Sequence, residues 1–346
     1  MTGEERRAAG APAVADDFRP AGWLPGGHLQ TLWSRVLRRG PRVALRRETW
    51  ETPDGDELHL DRIDGPPEAP LLVALHGLEG CSDSLYMHGL LHHARARGWR
   101  GIALNFRSCA RPEGGRRGTY LPNRADRLYH MGETSDLDWV LETLAAREPG
   151  AGLVVTGVSM GGNVLLKWLG ERGTCAPPAV RGAAAISTPY DLAAAADHLE
   201  KGLGPWYVRY FLGTLKRKAL DYAARHPGVV DIEGVRRARG FRTYDDAAVA
   251  PIHGFADAAD YYARSSSLAY LARIRVPTLL VSAADDPFLP PSVLDLAARA
   301  APPQVRCLFT AAGGHVGFVE GPPWAARSWA EARAVEFLAE CLEPAG

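Results

Sequence analysis

The sequence predicts an α/β protein whose central, mostly parallel β-sheet is covered by helices on both faces. Short apolar runs alternate with helical stretches along most of the chain, which is the pattern of repeated βαβ units. The runs are almost continuously apolar, as expected for strands that are buried on both faces. The 346 residues are also enough to bury a large core without disulfide bonds.

The predicted elements follow one another in a regular order. The segment "VALRRETWETPDGDELHLDRID" alternates around the turn signal at residues 53–56 and predicts a hairpin. A strand, a helix, a strand and a helix are then predicted in "PLLVALHG", "SLYMHGLLHHARARGW", "RGIALNFRS" and "GETSDLDWVLETLAARE". Thr134 or Ser135 is the predicted N-cap of that second helix. "GLVVTGVS" predicts the next strand, "MGGNVLLKWLGERG" the next helix, and "VRGAAAISTP" a further strand.

The regular alternation then stops for about eighty residues, an interval too long for a structureless loop in a compact domain. We predict a mainly helical cap insertion over 190–271, an α/β core formed by 19–189 and 272–346, and a flexible leader over 1–18. The core resumes with strands in "VPTLLVSAADDP" and "PQVRCLFTAAGGH" and ends with an amphipathic helix in "WAARSWAEARAVEFLAECL". The predicted insertion is rich in aromatic residues: Trp206, Tyr207, Tyr210, Phe211, Phe241, Tyr244, Phe255, Tyr261 and Tyr262.

Charge and cysteine content exclude several classes of function. Lys and Arg together equal Asp and Glu at 40 each, so the chain has no overall basic character for binding nucleic acid. The five cysteines are odd in number and lack disulfide or zinc spacing, which favours a reducing, cytoplasmic location. The N-terminus has no apolar segment of signal-peptide length. The longest uncharged stretch, Pro149–Leu166, fits a buried strand, turn and helix better than an integral membrane segment. Peripheral membrane contact and the oligomeric state stay open.

Ser159 is the candidate nucleophile. It lies between Gly157 and Gly161, directly after an apolar strand and before a helix. A serine at the tip of such a strand has its hydroxyl raised into open space, and flanking glycines permit the tight turn. The N–H groups of the following helix also point towards that hydroxyl. A plain turn with serine as the helix N-cap is the alternative, and these five residues alone do not decide between the two.

A serine nucleophile needs a base, and the sequence provides candidates in the order serine, acid, histidine. Asp285 and Asp286 follow the strand "TLLVSA", and His315 follows "VRCLFT". His315 would take the proton from Ser159 and return it to the leaving group. An aspartate would fix the tautomer of the imidazole and stabilise its charged form. We prefer Asp286 to Asp285 because Asp286 begins the pattern acid-x-x-apolar-Pro. A turn or cap role for the aspartates, and a backbone-bonded loop role for His315, are the structural alternatives.

An acyl-transfer transition state also carries an oxyanion that needs N–H donors. The backbone N–H of Met160, directly after the serine, is the predicted first donor. The predicted second donor is the backbone N–H of Leu78, in the turn after "LLVALHG". His76, in the same turn, is expected to shape the loop rather than to act as the base.

Other motifs carry weaker signals. His88, His92 and His93 have helical spacing, but no carboxylate pattern completes a metal site, so we predict no metal. The segment "RPEGGRRG" lacks the lysine spacing of a phosphate-binding loop and is interpreted as a surface loop. No other motif indicates a cofactor, and none is predicted.

The motifs taken together resemble those of the YheT-like α/β-hydrolases, the family that also includes the mammalian abhydrolase-domain lipid esterases. The resemblance covers about residues 20 to 340. It depends on "WLPGGHLQTLW", "LHGLEG", "NFRSCA", "YHMGETSDL", "GVSMGGNVLLKWLGE", "DDPFLP" and "GGHVGFVEG". It implies a capped α/β-hydrolase fold in which Ser159, Asp286 and His315 form the catalytic triad. It also implies the hydrolysis of carboxylic esters of acyl or lipid type.

Two residues depart from the pattern of that family. Met160 stands where leucine is common, which should be harmless because only its backbone N–H is needed. Ser108 replaces the usual glycine in "NFRSCA", which we expect to alter the loop near the pocket. The mammalian members carry an N-terminal membrane anchor, and nothing of that kind is recognisable in this sequence.

The sequence therefore predicts a serine esterase that acts on a small-molecule acyl ester or lipid. Two alternatives remain open. The same acyl-enzyme could be transferred to an alcohol or thiol, or the fold could be a non-catalytic scaffold that binds a ligand or partner. The aromatics of the predicted cap favour an apolar acyl pocket, although many of them would equally serve as the core of the cap.

Overall fold

An eight-stranded sheet organises the chain in the computed structural model, which describes residues 17–116 and 118–343. The spatial order is β1-β2-β4-β3-β5-β6-β7-β8; β2 pairs antiparallel with β1 and β4, and the other neighbours are parallel. The expected mostly parallel α/β sheet is confirmed, including the hairpin at residues 53–56. The strands are β1 (Arg46–Glu51), β2 (Glu57–Ile63), β3 (Leu71–Leu75), β4 (Arg100–Asn105), β5 (Leu153–Val158), β6 (Val180–Ile186), β7 (Thr278–Ala283) and β8 (Val305–Thr310).

Helices cover both faces of this sheet, as predicted. One face packs against α2 and α12, and the opposite face packs against α3, α4 and α11. Every residue of strands β3 to β7 is buried except Arg181 near the start of β6, which explains their nearly continuous apolar character. These helices are α2 (Leu85–Ala96), α3 (Ser135–Arg147), α4 (Met160–Arg172), α11 (Ser292–Ala300) and α12 (Trp329–Leu342), and α1 (Gly27–Val36) precedes them all.

The long connection between β6 and β7 is mainly helical. Its helices form two apolar clusters above the carboxyl ends of the strands. A π-helical turn at Asp245–Val249 joins the helix Phe241–Tyr244 to the helix Ala250–His253. The division of the chain into a core and a cap over 190–271 stays an interpretation of this connectivity. The helices are α5 (Leu192–His198), α6 (Gly204–Arg225), α7 (Ile232–Arg237), α8 (Phe241–Tyr244), α9 (Ala250–His253) and α10 (Ala258–Ser265).

A buried charge network explains three of the sequence motifs. Arg107, from "NFRSCA", donates hydrogen bonds to both carboxylate oxygens of Asp136, from "YHMGETSDL", at 2.7 and 2.8 Å. It also donates to Asp56 in the β1–β2 turn at 2.7 Å. All three side chains are almost fully buried. This network joins the hairpin to the loops after β4 and before α3, so these motif residues stabilise the fold rather than the reaction.

Two small elements near the chain ends were not predicted. The helix α1 begins within "WLPGGHLQTLW" and ends three residues after it, and a two-residue ladder joins β9 (Val319–Glu320) to β10 (Arg327–Ser328). The leader expected over 1–18 lies outside the described residues as far as residue 16. Phe18, the last residue of that predicted leader, is buried and packs against Phe318 and Trp329. It therefore belongs to the core of the fold.

Two further expectations concern helix α3 and the membrane. Thr134 precedes α3, but its hydroxyl donates to Glu171 at 2.7 Å instead of capping the helix.

The stretch Pro149–Leu166 forms the end of one loop, β5 and the start of α4. Within the described residues, no helix has both the length and the apolar character required to cross a membrane.

Candidate active site

Ser159 lies at the tip of β5 and is the residue from which α4 begins. Its backbone has φ 54°, a left-handed conformation that costs energy for a residue other than glycine. The two flanking positions must be glycine, because any larger side chain there would collide with the backbone. A Cβ atom on Gly157 would lie 2.3 Å from the carbonyl oxygen of Gly161, and one on Gly161 would lie 2.6 Å from that of Leu75. The turn therefore has the strained geometry of a nucleophile elbow.

The structure brings the three predicted side chains together from three different loops. His315 Nε2 lies 2.9 Å from Ser159 Oγ, and His315 Nδ1 lies 2.8 Å from Asp286 Oδ2. The imidazole and the carboxylate are nearly buried. A histidine that donates from Nδ1 to the carboxylate leaves Nε2 free to accept the serine proton. Ser159, His315 and Asp286 thus have the connectivity of a nucleophile, a base and an orienting acid.

Asp285 makes a different contact. Its Oδ1 accepts a hydrogen bond from the backbone N–H of Gly314 at 2.8 Å, so it supports the loop that carries His315 without touching the imidazole. Burial raises the pKa of Asp285, although that N–H partly opposes the shift. The geometry therefore places Asp286, rather than Asp285, beside the candidate base.

Three contacts that were not predicted hold the loop of His315. The backbone N–H of His315 donates to the hydroxyl of Thr31 in α1 at 2.8 Å. The next N–H, from Val316, donates to Ser187 at 2.9 Å, and the ring of Phe288 stacks on the imidazole with 4.1 Å between centroids. Thr31 belongs to "WLPGGHLQTLW", so this motif positions the histidine loop from the far end of the chain.

The two predicted oxyanion donors, the backbone N–H groups of Leu78 and Met160, belong to segments that lie close to Ser159. Met160 is the first residue of α4, so its N–H has no partner inside the helix. Leu78 lines both cavities that reach Ser159, and its N–H has no hydrogen-bond acceptor among the described residues. The loop is close, because a Cβ on Gly77 would lie 3.1 Å from Ser159 Cβ. Within the part of the chain that the structure describes, these observations leave both N–H groups without an acceptor near the serine, and their role as oxyanion donors stays a prediction.

His76 is engaged as a loop-shaping residue. Its Nδ1 lies 2.7 Å from the carbonyl oxygen of Gly77, and its Nε2 accepts from the backbone N–H of Phe106 at 3.1 Å. Complete burial lowers the pKa of His76 to about 4. A neutral imidazole with both nitrogens occupied has no capacity left to act as a base.

Two further features singled out in the sequence are the histidines of α2 and the loop that contains Ser108. His88 accepts a hydrogen bond from Val43, and no metal-binding group of three or more residues is found within 17–116 and 118–343. Ser108 keeps a left-handed backbone with φ 57° and bonds to Asn123, which explains why glycine is usual there. Ser108 itself lines neither described cavity that contains Ser159, but Arg111, three residues further along the chain, lines one of them. The effect of Ser108 on the loop near the pocket stays a prediction.

A mainly apolar cavity opens beside Ser159, beneath the helices between β6 and β7. Five of the nine aromatics singled out in the sequence line it, together with aliphatic side chains of α5 and the π-helical segment. The other aromatics pack elsewhere, and Trp206 and Tyr210 are exposed. The five are Phe211, Phe241, Tyr244, Tyr261 and Tyr262.

One carboxyl group interrupts the apolar lining. Asp245 lies in the π-helical segment, fully buried, and accepts a hydrogen bond from the hydroxyl of Tyr262 at 2.7 Å. Burial raises the pKa of Asp245 to about 7, although the hydrogen bond from Tyr262 opposes the shift. Below neutral pH the cavity therefore contains a neutral carboxylic acid, and above neutral pH it contains a buried charge.

We expect this carboxyl group to make stability depend on pH. The folded state keeps the proton of Asp245 between its ordinary pKa of 3.8 and about 7. The free energy of unfolding should therefore fall as pH rises through this window, by up to about 4 kcal/mol. Urea unfolding at pH 4.5 and 8 should show that Asp245→Asn removes this part of the decrease. Asp295→Asn, at an exposed position on α11 that has no part in this shift, is the control and should keep it.

An ion pair, which was also missed by the sequence analysis, ties the oxyanion loop to α6. Glu79 follows Leu78 with φ 54°, and its carboxylate lies 2.7 Å from Lys218 Nζ. Both side chains are almost fully buried. Tyr129 donates to the same carboxylate and accepts from the backbone N–H of Glu79 at 3.3 Å. Although burial alone would raise the pKa of Glu79, the ammonium of Lys218 lowers it, so the pair is charged.

Removal of one charge from this pair should destabilise the fold strongly. Lys218→Met leaves the carboxylate of Glu79 buried without its cation, and such a loss typically costs roughly 3–5 kcal/mol. Glu79→Gln/Lys218→Met should recover most of that loss, because no unpaired charge remains. Urea unfolding measures all three. Lys216→Met, two residues away on the same helix and bonded only to a carbonyl oxygen, is the control. A double variant as unstable as Lys218→Met would contradict this account.

The sequence of this chain is similar to a known protein family and to proteins of known name. Residues 70–322 match the family model described as the alpha/beta hydrolase fold. The chain is 38% identical over 332 residues to the putative esterase YheT of Escherichia coli, covering 94% of each chain. It is 30% identical over 320 residues to the phospholipase ABHD3 of Mus musculus, covering 90% of this chain and 75% of that protein.

The fold is also similar to solved structures. An esterase of Pyrococcus furiosus superposes with a TM-score of 0.53 at 17% identity, over 87% of this chain and 99% of its own. At that identity the likeness concerns the fold alone.

Proposed function

We propose, from the premise that the chain belongs to the YheT-like α/β-hydrolase family, that it is a serine esterase which cleaves acyl or lipid esters through an acyl-enzyme. Ester hydrolysis as a class follows from the family. The mechanism and the kind of ester are our inference. The hydrogen-bonded row of Ser159, His315 and Asp286 is the observation that carries it.

The geometry supports a two-step reaction. His315 Nε2 accepts the proton of Ser159 as the hydroxyl oxygen attacks the ester carbon. The N–H groups of Leu78 and Met160 stabilise the negative oxygen of the tetrahedral intermediate. The protonated imidazole, held and stabilised by Asp286, then gives its proton to the departing alcohol. In the second step His315 removes one proton from a water molecule as the water oxygen attacks the acyl carbon. The same proton then passes from His315 to the departing oxygen of Ser159, and the carboxylic acid is released with the other hydrogen of the water.

The form of the cavity supports an apolar acyl group. It adjoins Ser159 and His315, and its walls are mostly aromatic and aliphatic. Relatives named as esterase and phospholipase agree with substrates of this kind. The acyl chain would lie in this cavity, and the alcohol would leave through a second, more open cleft that also reaches Ser159.

A panel of p-nitrophenyl esters from acetate to palmitate, beside phospholipid and acylglycerol substrates, tests this proposal. We expect kcat/KM to rise with chain length until the cavity is filled. Ala196→Leu narrows the cavity and should lower kcat/KM for the longer esters by about tenfold or more. Ala193→Leu, on the same helix but outside the cavity lining, should leave the chain-length profile unchanged.

Two results would contradict the proposal. If kcat/KM depended on acyl chain length in the same way in Ala196→Leu and Ala193→Leu, the cavity would not be the site that binds the acyl chain. The absence of hydrolysis in the whole panel would remove the esterase mechanism. In that second case, retained labelling of Ser159 by a fluorophosphonate would favour acyl transfer, and lost labelling would favour a non-catalytic scaffold.

A further inference from the structure

Large apolar side chains are exposed on two neighbouring helices. On α1 they are Val36 and its neighbour Leu37, and on the first turns of α6 they are Leu203, Trp206 and Tyr210. The α6 residues are spaced i, i+3 and i+7, so they share one face of the helix. Exposure of this kind concentrated in one place usually marks an interaction surface.

Direct contacts place the two helices side by side. His28, near the start of α1, bonds to the hydroxyl of Tyr207 at 3.0 Å and stacks on its ring. Arg35, at the end of α1, donates to the hydroxyl of Tyr210 at 2.9 Å. The exposed side chains of α1 and α6 therefore form one surface, which we call the rim surface: Val36, Leu37, Leu203, Trp206 and Tyr210.

The rim surface lies at the entrance to the candidate active site. Val36, Trp206 and Tyr210 line the open cleft whose inner end is formed by Ser159 and His315. Residues of α1 and of the start of α6 line this cleft together. The rim surface is therefore continuous with the path to the nucleophile.

The two segments that carry the rim surface contain only cationic charges, although the whole chain is neutral and the exposed Glu200 directly precedes the second segment. Neither residues 18–47 nor residues 201–220 contain an aspartate or glutamate, while they hold seven and five Lys or Arg residues respectively. Some of these cations are paired with the rest of the fold. Arg39, Lys201 and Arg209 are exposed and have no ion-pair partner among the described residues.

We propose that the rim surface docks on the anionic surface of a lipid bilayer. Apolar and aromatic side chains flanked by Lys and Arg are the composition of helices that lie in the membrane interface. Trp and Tyr favour this interface, and each Lys or Arg near an anionic leaflet adds to the attraction. Docking here would bring the cleft entrance against the lipid. The inference rests on the proposed lipid-ester function, because it says how such a substrate reaches Ser159.

Vesicle flotation with the full chain carrying Ser159→Ala tests the docking without turnover. The protein should float with vesicles of phosphatidylcholine containing roughly one third phosphatidylglycerol, and much less with phosphatidylcholine alone. High salt should weaken the binding. Arg39→Glu/Arg209→Glu should weaken it at least ~30-fold. Leu37→Asp/Leu203→Asp, at sites 67% and 59% exposed, should also weaken it.

The control is Leu296→Asp/Arg299→Glu on α11, which makes the same kinds of change at exposed positions away from the two helices. It should bind like the parent protein. The four residues changed in the rim variants lie outside the lining of both cavities: Leu37, Arg39, Leu203 and Arg209. The turnover of p-nitrophenyl acetate by each variant, measured with Ser159 intact, therefore reports whether the fold and the chemistry are preserved.

Three outcomes would overturn the docking proposal. One is equal flotation with neutral and anionic vesicles, and another is equal weakening by the rim and α11 variants. The third is an absence of vesicle binding, with a dimer in light scattering that Leu37→Asp/Leu203→Asp dissolves, since the rim surface would then bind a second copy. Vesicle binding without any ester hydrolysis would instead contradict the proposed function and leave the docking intact.

Discussion

Replacement of Ser159 by alanine is expected to lower kcat for a p-nitrophenyl ester by on the order of 10⁶-fold. The reason is that the hydroxyl oxygen forms the bond to the acyl carbon, and no other nucleophilic side chain lies 2.9 Å from His315 Nε2 in the described part of the chain. The remaining rate would come from the oxyanion donors and from binding alone. Steady-state kinetics measures the loss of kcat, and a fluorophosphonate probe measures whether a reactive nucleophile remains.

The probe distinguishes loss of the nucleophile from loss of the fold. It should label the wild-type chain and Ser292→Ala, an exposed serine at the start of α11, but not Ser159→Ala. Circular dichroism and urea unfolding should show that Ser159→Ala is folded, because this change removes only one oxygen atom. Labelling of Ser159→Ala at another residue would assign the nucleophile elsewhere.

The sequence was most informative where a local pattern fixes the geometry. Residues 157–161 must form a sharp strand-to-helix turn because the two glycines lie against backbone oxygens at 2.3 and 2.6 Å. The order of Ser159, Asp286 and His315, each after a separate strand, then places them at one edge of a parallel sheet. Six of the eight strands of that sheet were predicted because buried parallel strands read as apolar runs. The antiparallel hairpin of β1 and β2 was predicted instead from its alternation around a turn signal.

The unpredicted parts depend on contacts between distant segments. Thr31 holds the backbone of His315 across 284 positions of the chain, and Lys218 meets Glu79 across 139. Neither pair has a local pattern, because a lone threonine or lysine on a helix usually faces solvent. The burial of Asp245 beside the substrate cavity is equally invisible in the sequence, since it requires knowing how the helices between β6 and β7 pack.

The choice between the two adjacent aspartates can be tested by a matched pair of substitutions. Asp286→Asn should lower kcat by about 10⁴-fold, because an amide that donates to Nδ1 would favour the tautomer in which Nε2 carries the proton. That imidazole could no longer accept the proton of Ser159. The buried amide would also fail to stabilise the imidazolium that forms during attack, so the loss should appear in kcat rather than in KM alone.

Asp285→Asn should have a far smaller effect, about tenfold or less. The amide oxygen of asparagine can still accept the hydrogen bond from Gly314, which Asp285 accepts at 2.8 Å. Burial already raises the pKa of Asp285, so a neutral side chain suits this site. The pair differs by one position and carries the same chemical change, so a general destabilisation of the loop would affect both. If Asp285→Asn lost more activity than Asp286→Asn, the hydrogen bond between Asp286 and His315 would not be the one that orients the base.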